Sequence, residues 1–261
     1  MLDGEIPAEI RREQLLSFIK AKDFVKVSDL SARFSVSEVT IRGDLDTLAR
    51  HGHIRRIRGG AMTLSHSERP FEETKSTHVT EKALIARAAA SIVTSGETII
   101  LDVGTTATAV AQELMKRADL HDIVIFTNAL NIALELERAI PRFTIVVIGG
   151  TLRPLQHSLV DPLGGIMLER ITAHTVFLGC NGIDAVGGIT NLNLPEADIK
   201  RRMLKAATRR VVVADGSKVG KIALAHLGDV DAIDLLITDS SASPSVLTML
   251  RERNLEIMIA Q

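Results

Sequence analysis

Two hydrophobic periodicities divide the chain into two parts. Before residue 60, apolar residues recur at spacings of three and four, which predicts amphipathic helices over residues 8–21, 28–34 and 37–50. Beyond residue 80, apolar runs of strand length alternate with helical patterns almost to the last residue. This alternation is typical of an α/β sheet that is covered by helices on both faces.

The apolar runs of the second part predict strands that are rich in Val and Ile. They cover residues 98–102, 123–127, 144–148, 175–178, 210–214, 235–238 and 256–259. Helical patterns accompany them over residues 81–93, 106–116, 129–138, 159–170, 196–207 and 245–253. We find no repeat of fixed period in the chain, and we expect one α/β domain here.

A polar stretch, MTLSHSERPFEETKSTHVT, separates the two patterns over residues 62–80. It is interrupted by Pro70 and has no apolar periodicity, which predicts a linker. The expected organisation is therefore a first domain of residues 1–61, a linker of residues 62–80 and an α/β domain of residues 81–261.

The third N-terminal helix has a well-defined start and one buried face. Ser37 is suited to cap its first turn, and Val36 can pack against Ile41 as a hydrophobic staple. Ile41, Leu45 and Leu48 then fall on the same side of the helix. Because only two residues separate this helix from the preceding one, the pair has the form of a helix-turn-helix.

The outer face of this helix offers groups for DNA contact. Arg42 can reach guanine edges or a phosphate, and the hydroxyls of Ser37 and Thr40 can bond phosphates. Gly43 costs roughly 1 kcal/mol relative to Ala inside a helix, which indicates close approach of the backbone to a partner. The candidate DNA-contacting residues of the helix are Ser37, Glu38, Val39, Thr40, Arg42 and Gly43.

An arginine ribbon follows the helix. Residues 50–58 contain four arginines, two histidines and no carboxylate, a density suited to phosphate contacts or insertion into the minor groove. The isoleucines within it and the following glycines, 59 and 60, predict a wing strand that pairs with residues 25–27. The candidate contacts are Arg55, Arg56 and Arg58. The alternative is an ordinary capped helix in a small bundle, with the arginines as a solvated face.

Composition narrows the possible targets. The formal net charge is -1, so attraction to nucleic acid must come from a local basic surface. Seven Phe are the only aromatic residues, which leaves few platforms for stacking single-stranded bases. The apolar runs, such as residues 143–148, are too short to cross a bilayer, and we expect a cytoplasmic protein.

The cysteine and histidine residues do not predict a disulfide, a metal site or a catalytic nucleophile. The single Cys180 excludes an intramolecular disulfide, and its place after a strand predicts a small buried residue rather than a nucleophile. The histidines show no metal-ligand spacing. We therefore expect neither a metal nor a cofactor, and we find no pattern of paired nucleophile and base.

The stretch 102–106 lies where a predicted strand ends and a helix begins. Helix N-terminal amides favour an anion, Gly104 lets the backbone approach it, and Thr105 and Thr106 add hydroxyl donors. Neither a Walker loop nor a dinucleotide glycine motif is present. The alternative is simple helix capping by threonine. Asp102 or Asp184 can accept hydrogen bonds from sugar hydroxyls.

Further polar residues or glycines follow other predicted strands, and in open α/β sheets ligands bind at the carboxyl ends of the strands. These candidate effector contacts are Asn128, Gly149, Gly150, Asp184, Asp215 and Lys218. Lys218 is suited to neutralise a phosphate. Glu196 and Lys200, four residues apart on a helix, form either a surface pair or further ligand contacts.

Several motifs occur in a fixed order along the chain. Residues 11–61 include RREQLLSFIK and VSDLSARFSVSEVTIRGDLDTLARHGHIRRIRGGA, and the second part contains ILDVGTTATAVAQEL, VIFTNALNIALEL, VVIGGTLRP, FLGCNGID, GITNLNLPEADIKRRML and VVVADGSKVGK. In this order they resemble the winged helix-turn-helix and the C-terminal sensor domain of the DeoR family of bacterial sugar-metabolism repressors. The resemblance covers almost the whole chain.

The resemblance implies a transcriptional regulator, usually a repressor, that a phosphorylated sugar releases from its operator. It also implies a sensor domain similar in fold to ribose-phosphate isomerases. One position departs from the family pattern, because members commonly carry a basic residue where Gly43 stands. That departure bears on one expected DNA contact and on operator preference.

Three functions follow from these observations. The first is a repressor that senses a sugar phosphate and binds double-stranded operator DNA as at least a dimer, since operators mirror two-fold protein symmetry. The second is a sugar-phosphate isomerase with an accessory DNA-binding domain, in which Asp102, Asp184, Glu196 and Lys218 supply the acid and base. The third is an activator or architectural DNA binder whose second domain serves only oligomerisation.

Overall fold

The computed structural model describes residues 7–22, 24–51, 53–57, 59–63 and 68–261. Contacts within the chain divide it into two units, Met1–Glu68 and Arg69–Gln261. The described elements of the first unit are α1 (Ala8–Lys22), β1 (Phe24–Lys26), α2 (Val27–Phe34), α3 (Glu38–Arg50), β2 (Ile54–Ile57) and β3 (Gly60–Thr63).

The three helices of the first unit share one small apolar core. It contains Leu15 and Ile19 of α1, Leu30 of α2, and Ile41, Leu45 and Leu48 of α3. Ser35 adopts a left-handed conformation (φ 52°) that ends α2, and the Ser37 hydroxyl accepts a 3.1 Å hydrogen bond from the Thr40 amide at the start of α3. The predicted cap and buried face of the third helix are therefore confirmed.

The wing is paired differently from the prediction. β2 pairs antiparallel with β3, and β3 rather than β2 pairs with β1, so that Ala61 lies between Val25 and Arg56. Gly59, at φ 81°, turns the chain back so that the strand after it lies next to β2. The expected direct pairing of the arginine strand with residues 25–27 was wrong, because the local hairpin occupies that edge.

The second unit alternates strands and helices from residue 71 onward. Its elements are α4 (Phe71–Lys75), α5 (Val79–Ser91), β4 (Thr98–Leu101), α6 (Thr105–Lys116), β5 (Ile123–Thr127), α7 (Leu130–Leu136), β6 (Phe143–Val147), β7 (Thr151–Arg153), β8 (Ser158–Val160), α8 (Leu163–Leu168), β9 (Ala173–Leu178), β10 (Gly182–Asp184), β11 (Gly188–Asn191), α9 (Leu194–Lys205), β12 (Ala207–Val213), β13 (Ala225–Gly228), β14 (Leu235–Asp239), α10 (Pro244–Glu252) and β15 (Glu256–Ala260).

Seven parallel strands form the central sheet in the order β15-β14-β12-β9-β4-β5-β6. They are the seven strands predicted from the sequence. Neighbouring residues of one strand face opposite sides of the sheet: Ile99 and Leu101 belong to one apolar cluster, and Ile100 belongs to the other. The sheet is therefore buried on both faces, as expected.

The order of the strands reverses between β4 and β9. β5 and β6 continue from β4 on one side, whereas β9, β12, β14 and β15 lie on the other. Such a reversal opens a crevice at the carboxyl ends of the two central strands, where ligands of open α/β sheets bind. We refer to this place, after Leu101 and after Leu178, as the switch point.

Two predicted boundaries in the second unit were wrong. Residues 159–160 of the expected helix 159–170 belong to β8, and α8 begins only at Leu163, because Pro162 disfavours helical backbone at the residue before it. Residues 69–80 of the expected linker belong to the second unit. They form α4 and the start of α5, and Phe71, with 3% of its surface exposed, anchors them without any periodicity visible in the sequence.

Candidate functional site

The outer face of α3 carries the residues that were predicted to contact DNA. All are exposed except Thr40, which is half-buried, and Val39 exposes 76% of its surface. Arg42 donates a 2.7 Å hydrogen bond to Glu38, one helical turn earlier, and both side chains remain about half-exposed. A β-carbon at Gly43 would meet no atom within 4 Å, so packing within the chain does not require glycine there.

The wing adds a cation next to this face. Arg56 of β2 lies with its Nε 3.0 Å from an oxygen of Asp46, which links the wing to α3 and which sequence reasoning missed. Arg55 lies in β2, although its side chain is outside the described part of the structure. Arg58 lies outside the described residues. Of the three candidate arginines 55, 56 and 58, only Arg56 has a side chain in the described part of the structure.

A buried carboxylate on α3 bonds this helix to α1. Asp44, on the inner side of α3, accepts a 2.6 Å hydrogen bond from Arg11 Nε and a 3.0 Å bond from Arg12 Nε, both on α1. Asp44 is 4% exposed and Arg11 9% exposed. The signal in the sequence was an acidic residue among the buried positions of an amphipathic helix, which requires a cationic partner.

At the switch point, three elements converge on Asp102. The Lys200 ammonium, from α9, donates a hydrogen bond to its Oδ2 atom, and the Gly179 amide, after β9, donates a 3.0 Å bond to the same atom. Lys200 also donates a 3.0 Å bond to the Gly179 carbonyl. Asp102 and Lys200 expose 0% and 3% of their side chains. Two predicted site residues therefore meet here.

Two buried side-chain oxygen atoms at the switch point have no hydrogen-bond donor among the described residues. Burial raises the pKa of Asp102, and the Lys200 charge partly offsets that effect. Among the described residues, neither Asp102 Oδ1 nor Asn128 Oδ1 has a hydrogen-bond partner. Both residues directly follow neighbouring strands, since Leu101 of β4 pairs with Thr127 of β5. The site thus presents two adjacent, unsatisfied acceptors.

The start of α6 lies immediately after Asp102. Gly104 occupies the capping position at φ 130°, and no side chain caps the helix. The Thr108 amide is bonded to the Gly104 carbonyl, and the helix begins with Thr105 and the nearly buried Thr106. The alternative of helix capping by threonine is therefore not what the structure shows, and the N-terminal amides are available to an anion.

Glu196 and Lys200 do not form the surface pair that was one interpretation of their spacing. Both are buried, and each bonds to a different element. Glu196 accepts hydrogen bonds from Arg153 of β7 and, at 2.6 Å, from Ser158 of β8. Its charge also raises the pKa of Asp102, which places it near the switch point. The contributions of Arg153 and Ser158 were missed in the sequence.

A second group of charges surrounds the loop after β12. The carboxylate of Asp215 accepts a 3.1 Å hydrogen bond from the Ser217 amide, and Lys218 follows in the same short turn. Burial lowers the pKa of Lys82, while the charge of Asp215 raises that pKa and the charge of Lys218 lowers it. Lys82, a 5% exposed residue of α5, was not expected at the site.

Two candidate glycines have different surroundings. A β-carbon on Gly150, at φ 147°, would lie 2.1 Å from the Val160 carbonyl oxygen, so close backbone packing explains this glycine. Gly149 has open space at the corresponding position.

Asp184 caps a turn. Its Oδ1 accepts hydrogen bonds from the Val186 amide at 2.9 Å and the Gly187 amide at 3.0 Å. The β10–β11 hairpin thus employs this carboxylate as a turn cap, as aspartates commonly do. These two bonds use Oδ1 only, and the expectation that Asp184 contacts the effector stays a prediction.

The single cysteine is half-buried and its thiol is poorly reactive. Burial raises the pKa of Cys180 to about 12, so the reactive thiolate is scarce near neutral pH. Within the described residues, no group of three or more His, Cys, Asp or Glu side chains is arranged to hold a metal ion. No described helix is long and apolar enough to pass through a membrane.

The exposed α3 face and the buried cluster at the switch point define a helix-turn-helix protein with an α/β sensor domain. Residues 11–67 match the DeoR-like helix-turn-helix domain, and residues 77–240 match the DeoR C terminal sensor domain. The chain therefore belongs to the DeoR family, as its motifs predicted. It is a transcriptional regulator and not an enzyme, and the isomerase alternative is not supported.

Curated relatives align over nearly their whole length. The chain is 32% identical over 249 residues, 95% of each protein, to the uncharacterized HTH-type transcriptional regulator YulB of Bacillus subtilis (strain 168). It is 32% identical over 253 residues, 95% of this chain and 93% of the relative, to a putative aga operon transcriptional repressor of Escherichia coli O157:H7. The glycerol-3-phosphate regulon repressor of Escherichia coli (strain K12) is 31% identical over 248 residues, 95% of this chain and 97% of that one.

Among solved structures, ribose 5-phosphate isomerase A from Methanocaldococcus jannaschii matches 52% of each chain at 17% identity, with a TM-score of 0.39. A similarity of this size carries no argument about activity.

Proposed function

We propose that this chain represses a carbohydrate-metabolism operon, and that a phosphorylated sugar or polyol releases it from operator DNA. Relatives named as repressors of the aga operon and of the glycerol-3-phosphate regulon support the regulatory part. The observation that carries the effector part is the buried Asp102–Lys200 pair beside the uncapped start of α6.

The hydroxyl end of the effector fits the two unsatisfied acceptors. A buried acceptor without a donor costs about 1–3 kcal/mol, which a sugar hydroxyl would recover. Asp102 and Asn128 follow adjacent strands, so one sugar could bring a hydroxyl group to each. A phosphate oxygen would instead be repelled by the carboxylate, so we place the phosphate elsewhere in the site.

The phosphate end fits the start of α6. Gly104 allows close approach, and the amides that follow it, with the Thr105 hydroxyl, can donate to phosphate oxygens. Lys218 would supply positive charge from the loop after β12, with Lys82 as a second cation. Glu196, Lys200, Asp215 and Thr106 would fix the shape of the site, and Gly149 would line it.

DNA would be bound by α3 and the wing. Arg42 would exchange its Glu38 partner for a guanine edge, while Ser37, Thr40 and Arg56 would contact phosphates. A small helix-turn-helix reaches useful specificity through two copies on a two-fold operator, so we propose a homodimer or larger assembly. Both functions belong in the cytoplasm, where operator DNA and sugar phosphates occur together.

The test is binding of the purified protein to the DNA that flanks its own gene, by fluorescence anisotropy at fixed salt. Titrants would be fructose 1-phosphate, ribose 5-phosphate, glucose 6-phosphate and glycerol 3-phosphate, with inorganic phosphate as the control. Release of specific DNA by one ester supports the proposal and names the effector. Tight binding that no ester alters would contradict the effector part, and absence of specific binding would contradict the whole proposal.

A further inference from the structure

The turn between β7 and β8 holds the first residues of the sensor unit. The Phe71 amide donates a 2.9 Å hydrogen bond to the Leu155 carbonyl, and Gln156 Nε2 donates a 2.6 Å bond to the Arg69 carbonyl. The ring of His157 meets the buried Phe71 ring edge-on, with centroids 5.4 Å apart. Three consecutive residues of the turn thus contact residues 69–71.

The strands on either side of the same turn hold the candidate effector site. Arg153, the last residue of β7, and Ser158, the first of β8, both bond to Glu196. One residue further on, the Leu159 amide donates a 2.7 Å bond to the Asn128 carbonyl, and Asn128 Nδ2 returns a 3.1 Å bond to the Leu159 carbonyl. The hairpin therefore contacts the site at its strands and residues 69–71 at its turn.

The far end of this N-terminal segment is also tied to a charge near the site. Lys82 Nζ donates hydrogen bonds of 2.6 Å to the Thr74 carbonyl and 2.7 Å to the Thr77 carbonyl. The same ammonium lies in the field of Asp215 and Lys218. Residues 69–77 are consequently held at one end by the β7–β8 turn and at the other end by Lys82.

We propose that the β7–β8 hairpin, residues 151–160, couples effector binding to residues 69–77 and through them to the helix-turn-helix unit that precedes them in the chain. The inference rests on the proposed function. A ligand that binds Asn128 or displaces Glu196 alters the hydrogen bonds that position β7 and β8. The turn between these strands then shifts, which changes its contacts with Arg69 and Phe71. Coupling of this kind requires one element whose equilibrium both ligands bias, and the hairpin is the element that we assign to this role.

The experiment uses the full chain with Gln156→Ala and His157→Asn combined. Asparagine suits the left-handed backbone of His157 (φ 56°), so the turn keeps its conformation while both side-chain contacts with residues 69–71 are lost. The matched control is His121→Asn, because this exposed histidine precedes β5 at the opposite end of the sheet. The four esters and inorganic phosphate are measured by calorimetry, with and without DNA from the flanking region.

The double variant should bind the active ester alone with a Kd within about twofold of wild type. The ratio of DNA Kd values with and without saturating ester should fall at least about fivefold, which is the low end of typical allosteric coupling. The proposal would be overturned if the double variant gave the same ratio of DNA Kd values as wild type and the His121→Asn control. Loss of ester binding in the double variant would overturn it too, because the hairpin would then act within the site.

Hydrogen exchange provides a second, independent measurement on wild-type protein. Saturating ester should change the exchange rates of the amides of residues 69–77, and unchanged rates would refute the coupling. If no ester binds the wild type, the proposed function itself has failed. If wild type binds an ester and releases DNA while the double variant behaves identically, only the coupling by the hairpin has failed.

Discussion

Lys200 and Asp102 form an ion pair that joins α9 to the end of β4 almost without exposure to solvent. The Gly179 backbone completes the arrangement by donating to the carboxylate and accepting from the ammonium. Removing one partner of such a pair leaves the other charge buried and uncompensated, which is far more costly than the net value of the intact pair. The sensor fold and the candidate effector site therefore depend on the same two side chains.

Replacing Lys200 with Met should lower the free energy of unfolding of the sensor domain by about 3–5 kcal/mol. Urea denaturation followed by circular dichroism measures the loss. Lys205→Met, on an exposed position of the same helix, is the control and should change stability by less than about 0.5 kcal/mol. Similar losses in the two variants would show that the buried pair has no special role.

Replacing Arg42 with Ala should weaken operator binding by about 1–3 kcal/mol and reduce discrimination between operator and random DNA. The reason is that Arg42 extends from the exposed face of α3, where it can exchange Glu38 for a base edge. Anisotropy titrations on both DNAs at one salt concentration provide the measurement. Equal losses on operator and random DNA would disprove base reading by Arg42.

Substitutions of Arg56 and Asp46 should act in opposite directions. Arg56→Ala should weaken binding to all sequences alike and make it less salt-dependent. Asp46→Asn removes a negative charge and releases Arg56 from its 3.0 Å contact, so it should strengthen binding uniformly. Kd values measured across a salt series test both. Weaker binding by Asp46→Asn would mean that the contact positions Arg56 for DNA rather than competing with it.

Replacing Asp44 with Ala should destabilise the helix-turn-helix unit by about 3–5 kcal/mol, because α3 then loses the buried carboxylate that bonds Arg11 and Arg12 of α1. Hydrogen exchange of the α3 amides reports the local free energy of opening. Asp46→Ala is the control on the same helix, since its side chain is 60% exposed. The prediction fails if the two variants exchange at the same rate.

Asp119 should remain ionised well below the pH at which a free aspartate protonates. The hydrogen bond from Arg117 lowers its pKa to about 2. The pairing therefore stabilises the fold fully above pH ~4, the ordinary aspartate range, and its contribution is lost as pH falls towards 2. Carboxyl NMR shifts of Asp119 should stay flat between about pH 5 and 3 in wild type and titrate in Arg117→Gln. A titrating wild-type signal would contradict the pairing.

The central sheet was predictable because strands buried on both faces are continuous apolar runs, as in residues 123–127 and 235–238. The short strands β7 and β8 were not, since three residues are too few to show a period. The apolar pattern assigns Leu159 and Val160 of β8 to a helix because these residues are equally suited to either structure.

Candidate site residues could be predicted from the sequence where they directly follow a strand of the central sheet. Asp102 and Asn128 followed from the rule that ligands bind at the carboxyl ends of parallel strands. Lys82 and Arg153 did not, because their place near the site depends on packing between elements far apart in sequence. Asp184 also follows a strand, but β10 lies outside the central sheet and the carboxylate caps a turn.

Gly43 lies on the exposed face of α3. A β-carbon added there would meet no atom within 4 Å. A lysine there would gain helix stability of roughly 0.7 kcal/mol and add a charge facing DNA. Selection that favoured stability alone would therefore have removed this glycine. We expect one substitution at this position, which the fold itself would tolerate, to change operator preference.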